Sequence, residues 1–302
     1  MLRAYWVALR FMILELFNTI FPVVACAGLG YLWARFDQPY DTRIVTRLVG
    51  NIGAPCLIFS TMIGIQGMSG QIAEMALSAV IALLSFAAIG AIILIIAKLP
   101  LRTYLAPVTF PNAGNIGLPL CLFAFGDEGL ALGIGFFAVS ASAQLIFGQW
   151  LFSGFPTPLP LLKAPIPYAV AIGAIFLATD SQPPEFIYNT TNLLGGFAIP
   201  LMTFTLGVSL ANLRVIRFSR TLALSLFRLG MGAGGGFGFA ELFGYEGMQR
   251  GVLIIQCSMP IAVFNYLFAS YYQRDPEEVA SLVVLSSALA FLLMPVLIFA
   301  VL

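Results

Sequence analysis

The stretch Phe110 to Leu120, FPNAGNIGLPL, lies inside a long apolar run and cannot continue it as a regular helix. Pro111 and Pro119 each remove a backbone donor, while Gly114 and Gly117 permit an unwound chain. Asn112 and Asn115 place amides at the same level. In lipid, an unpaired backbone amide or carbonyl costs several kcal/mol, so such a break persists only where protein buries it or water reaches it. A packing kink needs one proline and no amides. The double-proline, double-asparagine run therefore reads as a site.

The surrounding chain sets the solvent. Its 302 residues are 60% hydrophobic and 9% charged, with a mean hydropathy of +0.99. A soluble domain carries about a quarter charged residues, so this is an all-α integral membrane protein. A net charge of +1 argues against nucleic acid as a partner and leaves membrane lipid as the surrounding one. Histidine is absent, which removes the commonest metal ligand and general base. With no HExxH, no GxSxG and no aspartate pair within a span, an intramembrane enzyme is not expected, nor is a cofactor or metal. Cys26, Cys56, Cys121 and Cys257 lie in apolar segments without CxxC spacing and read as buried free thiols. The opening MLRAYWVALRFMILELFNTIFPVVAC imitates a signal sequence. Cleavage before Cys26 would leave about ten apolar residues, too short to span, and Glu15 and Asn18 spoil the apolar stretch, so it reads as a retained helix.

Hydrophobic blocks between polar punctuation give ten expected spans, at about 12–35, 43–65, 72–97, 104–125, 130–153, 164–180, 189–212, 218–242, 248–271 and 278–301. Lys and Arg near the odd-to-even turns number ten: Arg35, Arg43, Arg47, Lys98, Arg102, Lys163, Arg214, Arg217, Arg220 and Arg274. Only Arg3, Arg10 and Arg250 mark the other side, which predicts both termini outside the cytoplasm of a multi-pass cell-membrane protein.

The halves repeat. Pro22 and Gly28 are spaced as Pro167 and Gly173; Pro22 and Pro55 as Pro167 and Pro200. Phe59 and Phe204 each follow the second proline by four residues. Pro111 precedes Asp127 by 16 residues and Pro260 precedes Asp275 by 15. Two units follow, 1–155 and 156–302, each of five spans. Five is odd, so the second copy enters from the opposite side, giving an inverted repeat of the kind found in secondary transporters.

The repeat assigns FPNAGNIGLPL a partner, Gln256 to Tyr266, QCSMPIAVFNY, with Pro260 in the matching place and Asn265 nearby. Two interrupted helices at corresponding positions point to a midplane substrate site, where half-helix N-termini favour an anion. The expected site residues are Pro111, Asn112, Asn115, Pro260 and Asn265. Gln144, with Gln149, Ser140 and Ser142, either lines the cavity or bonds between helices. Arg228 either balances an anionic substrate or snorkels to the cytoplasmic face. Gly230, Gly234 and Gly238 are expected to let helices pack closely. No Asp or Glu occupies the centre of a span, so a carboxylate proton relay is poorly supported, while a sodium site of carbonyls and amides stays open.

FPNAGNIGLPLCLFAFGDEG resembles the span 4 signature of the auxin efflux carrier superfamily, which includes plant auxin carriers and bacterial malate and malonate permeases. MPIAVFNYLFASYYQRDPEEVASLVVLSSALAFLLMPVL resembles its span 9 and 10 signature, and PCLIFSTM is similar to its span 2 pattern. The resemblance implies a fold in which spans 1, 2, 6 and 7 form a scaffold, often dimeric, and spans 3–5 and 8–10 a mobile transport domain. It implies that broken spans 4 and 9 cross and hold a small organic anion, with Pro111 and Asn112 at one crossover and Pro260 at the other. Plant members commonly carry glutamine after the second proline; here Ile261 stands there, and the polar role passes to Asn265. That departure, and the short link between spans 5 and 6, imply a bacterial-type member rather than a plant hormone carrier. A sodium symporter of the bile-acid type shares the expected layout, and a non-transporting receptor is the alternative of another class.

Overall fold

A computed structural model of the protein describes residues 2–64, 68–154, 162–179 and 181–302. The side chains of Arg3, Arg10 and Glu15 and the link at 155–161 lie outside the described residues. Every regular element described is helical. In chain order they are α1 (Leu2–Arg35), α2 (Thr42–Leu48), α3 (Ala54–Gly64), α4 (Ser69–Ile96), α5 (Leu101–Thr109), α6 (Leu118–Ala143) and α7 (Gln149–Ser153). Then come α8 (Pro165–Ala178), α9 (Glu185–Gly196), α10 (Ala198–Asn212), α11 (Phe218–Phe243), α12 (Gly247–Ser258), α13 (Val263–Tyr271) and α14 (Pro276–Val301).

Among the described residues, six helical stretches are long and apolar enough to cross a membrane: Phe17–Arg35, Thr42–Gly64, Ser69–Ile96, Ala113–Ser153, Glu185–Asn212 and Pro276–Val301. Ten spans were expected, and the difference has physical causes. Breaks at 110–112 and 259–262 leave α5, α12 and α13 too short to qualify. Gly126, at φ +67° and non-helical, kinks the chain within α6, between the fourth and fifth expected spans, and the helical stretch Ala113–Ser153 runs across that kink. Glycines and arginines dilute the hydropathy of α11.

Local sequence explains the joints. Asp41 caps α2, its Oδ1 accepting from the amides of Arg43 at 2.8 Å and Ile44 at 3.0 Å. Three π turns, Val49–Gly53, Ala113–Gly117 and Gln144–Gly148, each end in glycine and lead into the next helix. The positive-φ joint at Gly126, about 15 residues after Pro111, has a counterpart at Asp275 (φ +44°), about 15 residues after Pro260 and just before α14.

Two large cores, and a smaller one of Leu83, Ala106, Phe110, Phe152, Ala269 and Val279, organise the packing of the described residues. The larger gathers Met75, Phe86, Tyr104, Leu132, Ile254 and Val283 from α4, α5, α6, α11, α12 and α14 and their neighbours. The second gathers Ile58, Met62, Leu118, Ile134, Ala198 and Met202 from α3, α6 and α10. Helix α1 lies along α10 with no room for side chains where they touch: Gly30 abuts the Phe204 carbonyl, and Gly207 that of Ala27. The glycines of α11 need a correction. Gly230, Gly234 and Gly238 face open space; Gly232 and Gly236, on the opposite face, admit α12. A shift of two residues rotates a helix by about 200°, so the four-residue spacing was right and the face was wrong.

Polar ties close the end where α5, α11 and α14 meet. Glu278 is paired with Arg217 and bonded by the Tyr104 hydroxyl, and Arg220 reaches the same carboxylate at 3.4 Å. Thr103 donates to Asp275 at 2.8 Å.

Candidate functional site

The two breaks meet. Helix α5 stops at Thr109, Phe110 is extended, and the helix resumes at Ala113. Helix α12 stops at Ser258, Met259 and Ala262 are extended, and the helix resumes at Val263. Where the extended residues pass, Pro111 and Ile261 form an antiparallel β-bridge. The Asn112 amide donates to the Pro260 carbonyl at 2.7 Å, and the Ala262 amide donates to the Phe110 carbonyl at 3.2 Å. The Ile261 amide donates to Ser286 Oγ at 3.1 Å. The Asn112 carbonyl accepts from the amides of Ile116 and Gly117, at 3.4 and 3.2 Å. Pro111 and Pro260 have no amide to satisfy. The amides of Asn112, Ile261 and Ala262 at the crossing are thereby paired within the protein, as a break in lipid favours.

A cavity of about 310 Å³ lies against the bridge. One wall is the first break and the helix pair after it, with Pro111, Asn112, Asn115, Ser140 and Gln144. A second is Ala262, Val263, Phe264 and Tyr266, beyond the other break. The facing wall comes from α2, α8 and α10, with Thr42, Thr46, Thr205 and Ser209. Each of the three π turns contributes lining residues: Val49 and Gly50, Ala113 to Asn115, and Gln144. Such turns widen a helix locally and recur at functional sites.

Two lining amides have unused donors. Asn112 is 4% exposed and its Nδ2 has no partner; Gln144 Nε2 likewise has none. Both are buried donors lacking an acceptor, the complement of an anionic or carbonyl oxygen. Arg43 is the one charged side chain lining the cavity among the described residues, and it is exposed. Asn212 and Ser270 line the same cavity.

The expected site residues thus divide. Pro111, Asn112, Asn115 and Gln144 come together on the cavity. Pro260 is in the bridge but does not line the cavity. Asn265 is fully buried and turned onto its own helix, its Nδ2 donating to the Ala262 carbonyl at 3.1 Å. Arg228 neither lines the cavity nor snorkels; it is fully buried against α12.

The facing wall escaped the sequence reading, although its signal was present. Thr42, Thr46 and Gly50 recur at four residues on the second span, and Thr205, Ser209 and Asn212 at four and three on the seventh. A polar stripe at helical spacing in an apolar span marks the face turned from lipid.

The family model described as membrane transport protein matches this chain over residues 15–158 and again over 149–298. An uncharacterized transporter of Methanocaldococcus jannaschii, MJ1031, is 26% identical over 192 residues, covering 60% of this chain and 62% of that protein. An uncharacterized transporter of Methanothermobacter thermautotrophicus is 26% identical over 295 residues, covering 92% of this chain and 96% of that protein. The chain therefore spans under two thirds of the first relative and nearly all of the second.

Proposed function

The chain belongs to the membrane transport protein family, that of the auxin efflux carriers, and on that premise we propose that it is a secondary transporter of small organic anions. The observation that carries this reading is the bridge between two broken helices beside a cavity whose one charged lining residue, among the described residues, is Arg43. An anion enters past Arg43, and its oxygens take the unused donors of Asn112 and Gln144.

In this reading ten spans form two inverted five-span repeats, with the bridge at the midplane and both termini on the non-cytoplasmic side of the cell membrane. The π turns and breaks count as interruptions within spans. Helices α1–α3 and α8–α10 serve as scaffold and dimer interface. Helices α4–α7 and α11–α14 move as an elevator carrying the substrate.

The test is uptake of labelled short mono- and dicarboxylates into proteoliposomes. Saturable uptake is expected, and Asn112→Ala should lose it while eluting as a folded, monodisperse protein. Undiminished transport by that variant would remove the site assignment. Uptake that requires a sodium gradient would favour the symporter alternative, and binding without flux would make the protein a receptor.

A further inference from the structure

Arg228 is 0% exposed and has no carboxylate partner; among the described residues both ion pairs use Glu278. Its Nη2 donates at 3.1 Å to the carbonyl of Cys257, in the last turn of α12 just before the break. Its guanidinium carbon lies 5.1 Å from the centre of the Phe86 ring. Gly232, one turn further along α11, makes the notch: a Cβ there would lie 2.9 Å from Arg228 Nη1 and collide with the Cys257 carbonyl. On the same last turn, Gln256 Oε1 and Ser258 Oγ are buried without partners, as are Arg228 Nε and Nη1.

A buried cation is costly, and here no anion offsets it. What faces it instead are dipoles: a ring face and the end of a broken helix, which carries about half a negative charge. Unwound carbonyls and half-helix C-termini are also the groups that coordinate sodium in broken-helix transporters. We propose that Arg228 is a resident cation of the α12 break, a tethered positive charge standing where those carbonyls would otherwise recruit a monovalent inorganic cation. The crossing is then held without sodium. This deepens the transport reading by naming the ion the site does not need, and its test uses no substrate, so it succeeds or fails separately from uptake.

The experiment is thermal unfolding of the purified full chain in sodium chloride and in choline chloride at matched ionic strength. The wild-type midpoint is expected to be the same in both. Arg228→Lys, which keeps the charge, should stay near wild type in both salts. Arg228→Gln, which keeps a hydrogen-bond donor but not the charge, should fall by several degrees in choline and regain stability saturably with sodium. A saturable sodium response of the wild type would overturn the proposal. So would an Arg228→Gln variant that matches Arg228→Lys, or one that falls and ignores sodium. If neither variant folds, the wild-type response to sodium decides.

Discussion

The Asn112 amide donates to the Pro260 carbonyl, 2.7 Å away, so the two breaks share one hydrogen-bonding system rather than each resolving its own. Two bonds span the bridge, and Ser286 from α14 takes the remaining donor at Ile261. The side chain of Asn112 is then free for the cavity, because its backbone alone does the structural work.

Ser286→Ala removes the acceptor for the Ile261 amide inside a fully buried crossing. The orphaned donor should cost about 1–3 kcal/mol, read as a lowered midpoint in thermal unfolding. A variant as stable as the wild type would mean that Ile261 finds another partner.

Gly117 is packed against the buried side-chain amide of Gln256, whose Nε2 donates to the Gly133 carbonyl at 3.3 Å. Gly117→Ala should destabilise by about 1–3 kcal/mol through overpacking. Because the clash is with a side chain, adding Gln256→Ala should relieve part of it, and a double-mutant cycle would read that coupling. Strict additivity would place the strain elsewhere.

Arg43→Gln should raise the KM for an anionic substrate several-fold and leave kcat nearly unchanged. The residue lines the cavity with an exposed side chain and acts on entry rather than at the crossing. The difference from wild type should shrink as salt rises, since an exposed charge is screened. An equal fall in kcat would instead put Arg43 in the translocation step.

Gly207→Ala forces a methyl group into the Ala27 carbonyl, which is backbone and cannot turn aside. Separating α1 from α10 should lower stability by about 1–3 kcal/mol, measurable as a reduced unfolding midpoint. Gly238→Ala, facing open space in α11, is the control and should be neutral or slightly stabilising.

The break residues were legible because proline, glycine and asparagine violate the composition of a span, and counting between prolines found the partner segment. Asn112, Asn115 and Gln144 line the cavity. Asn265 shows what spacing cannot supply: one position fixes a residue's level along the helix but not its rotation, and this side chain bonds its own turn. Arg228 was open between substrate and headgroup, and only the notch at Gly232 reveals a third place for it. The facing wall depended on pairing α2 with α10 across the molecule, a contact with no local signature beyond its threonines.

The bridge also orders the protein's biogenesis. Pro111 leaves the ribosome roughly 150 residues before Ile261, its partner. At about 5–20 residues per second, the first break waits from several seconds to half a minute in or near the bilayer with its backbone unmatched. A nascent chain arrested before Met259 should therefore leave an Asn112→Cys thiol open to a water-soluble reagent, and elongation past Ala262 should close it. Folding of this protein is complete only when its second half arrives to pair the break left open in the first.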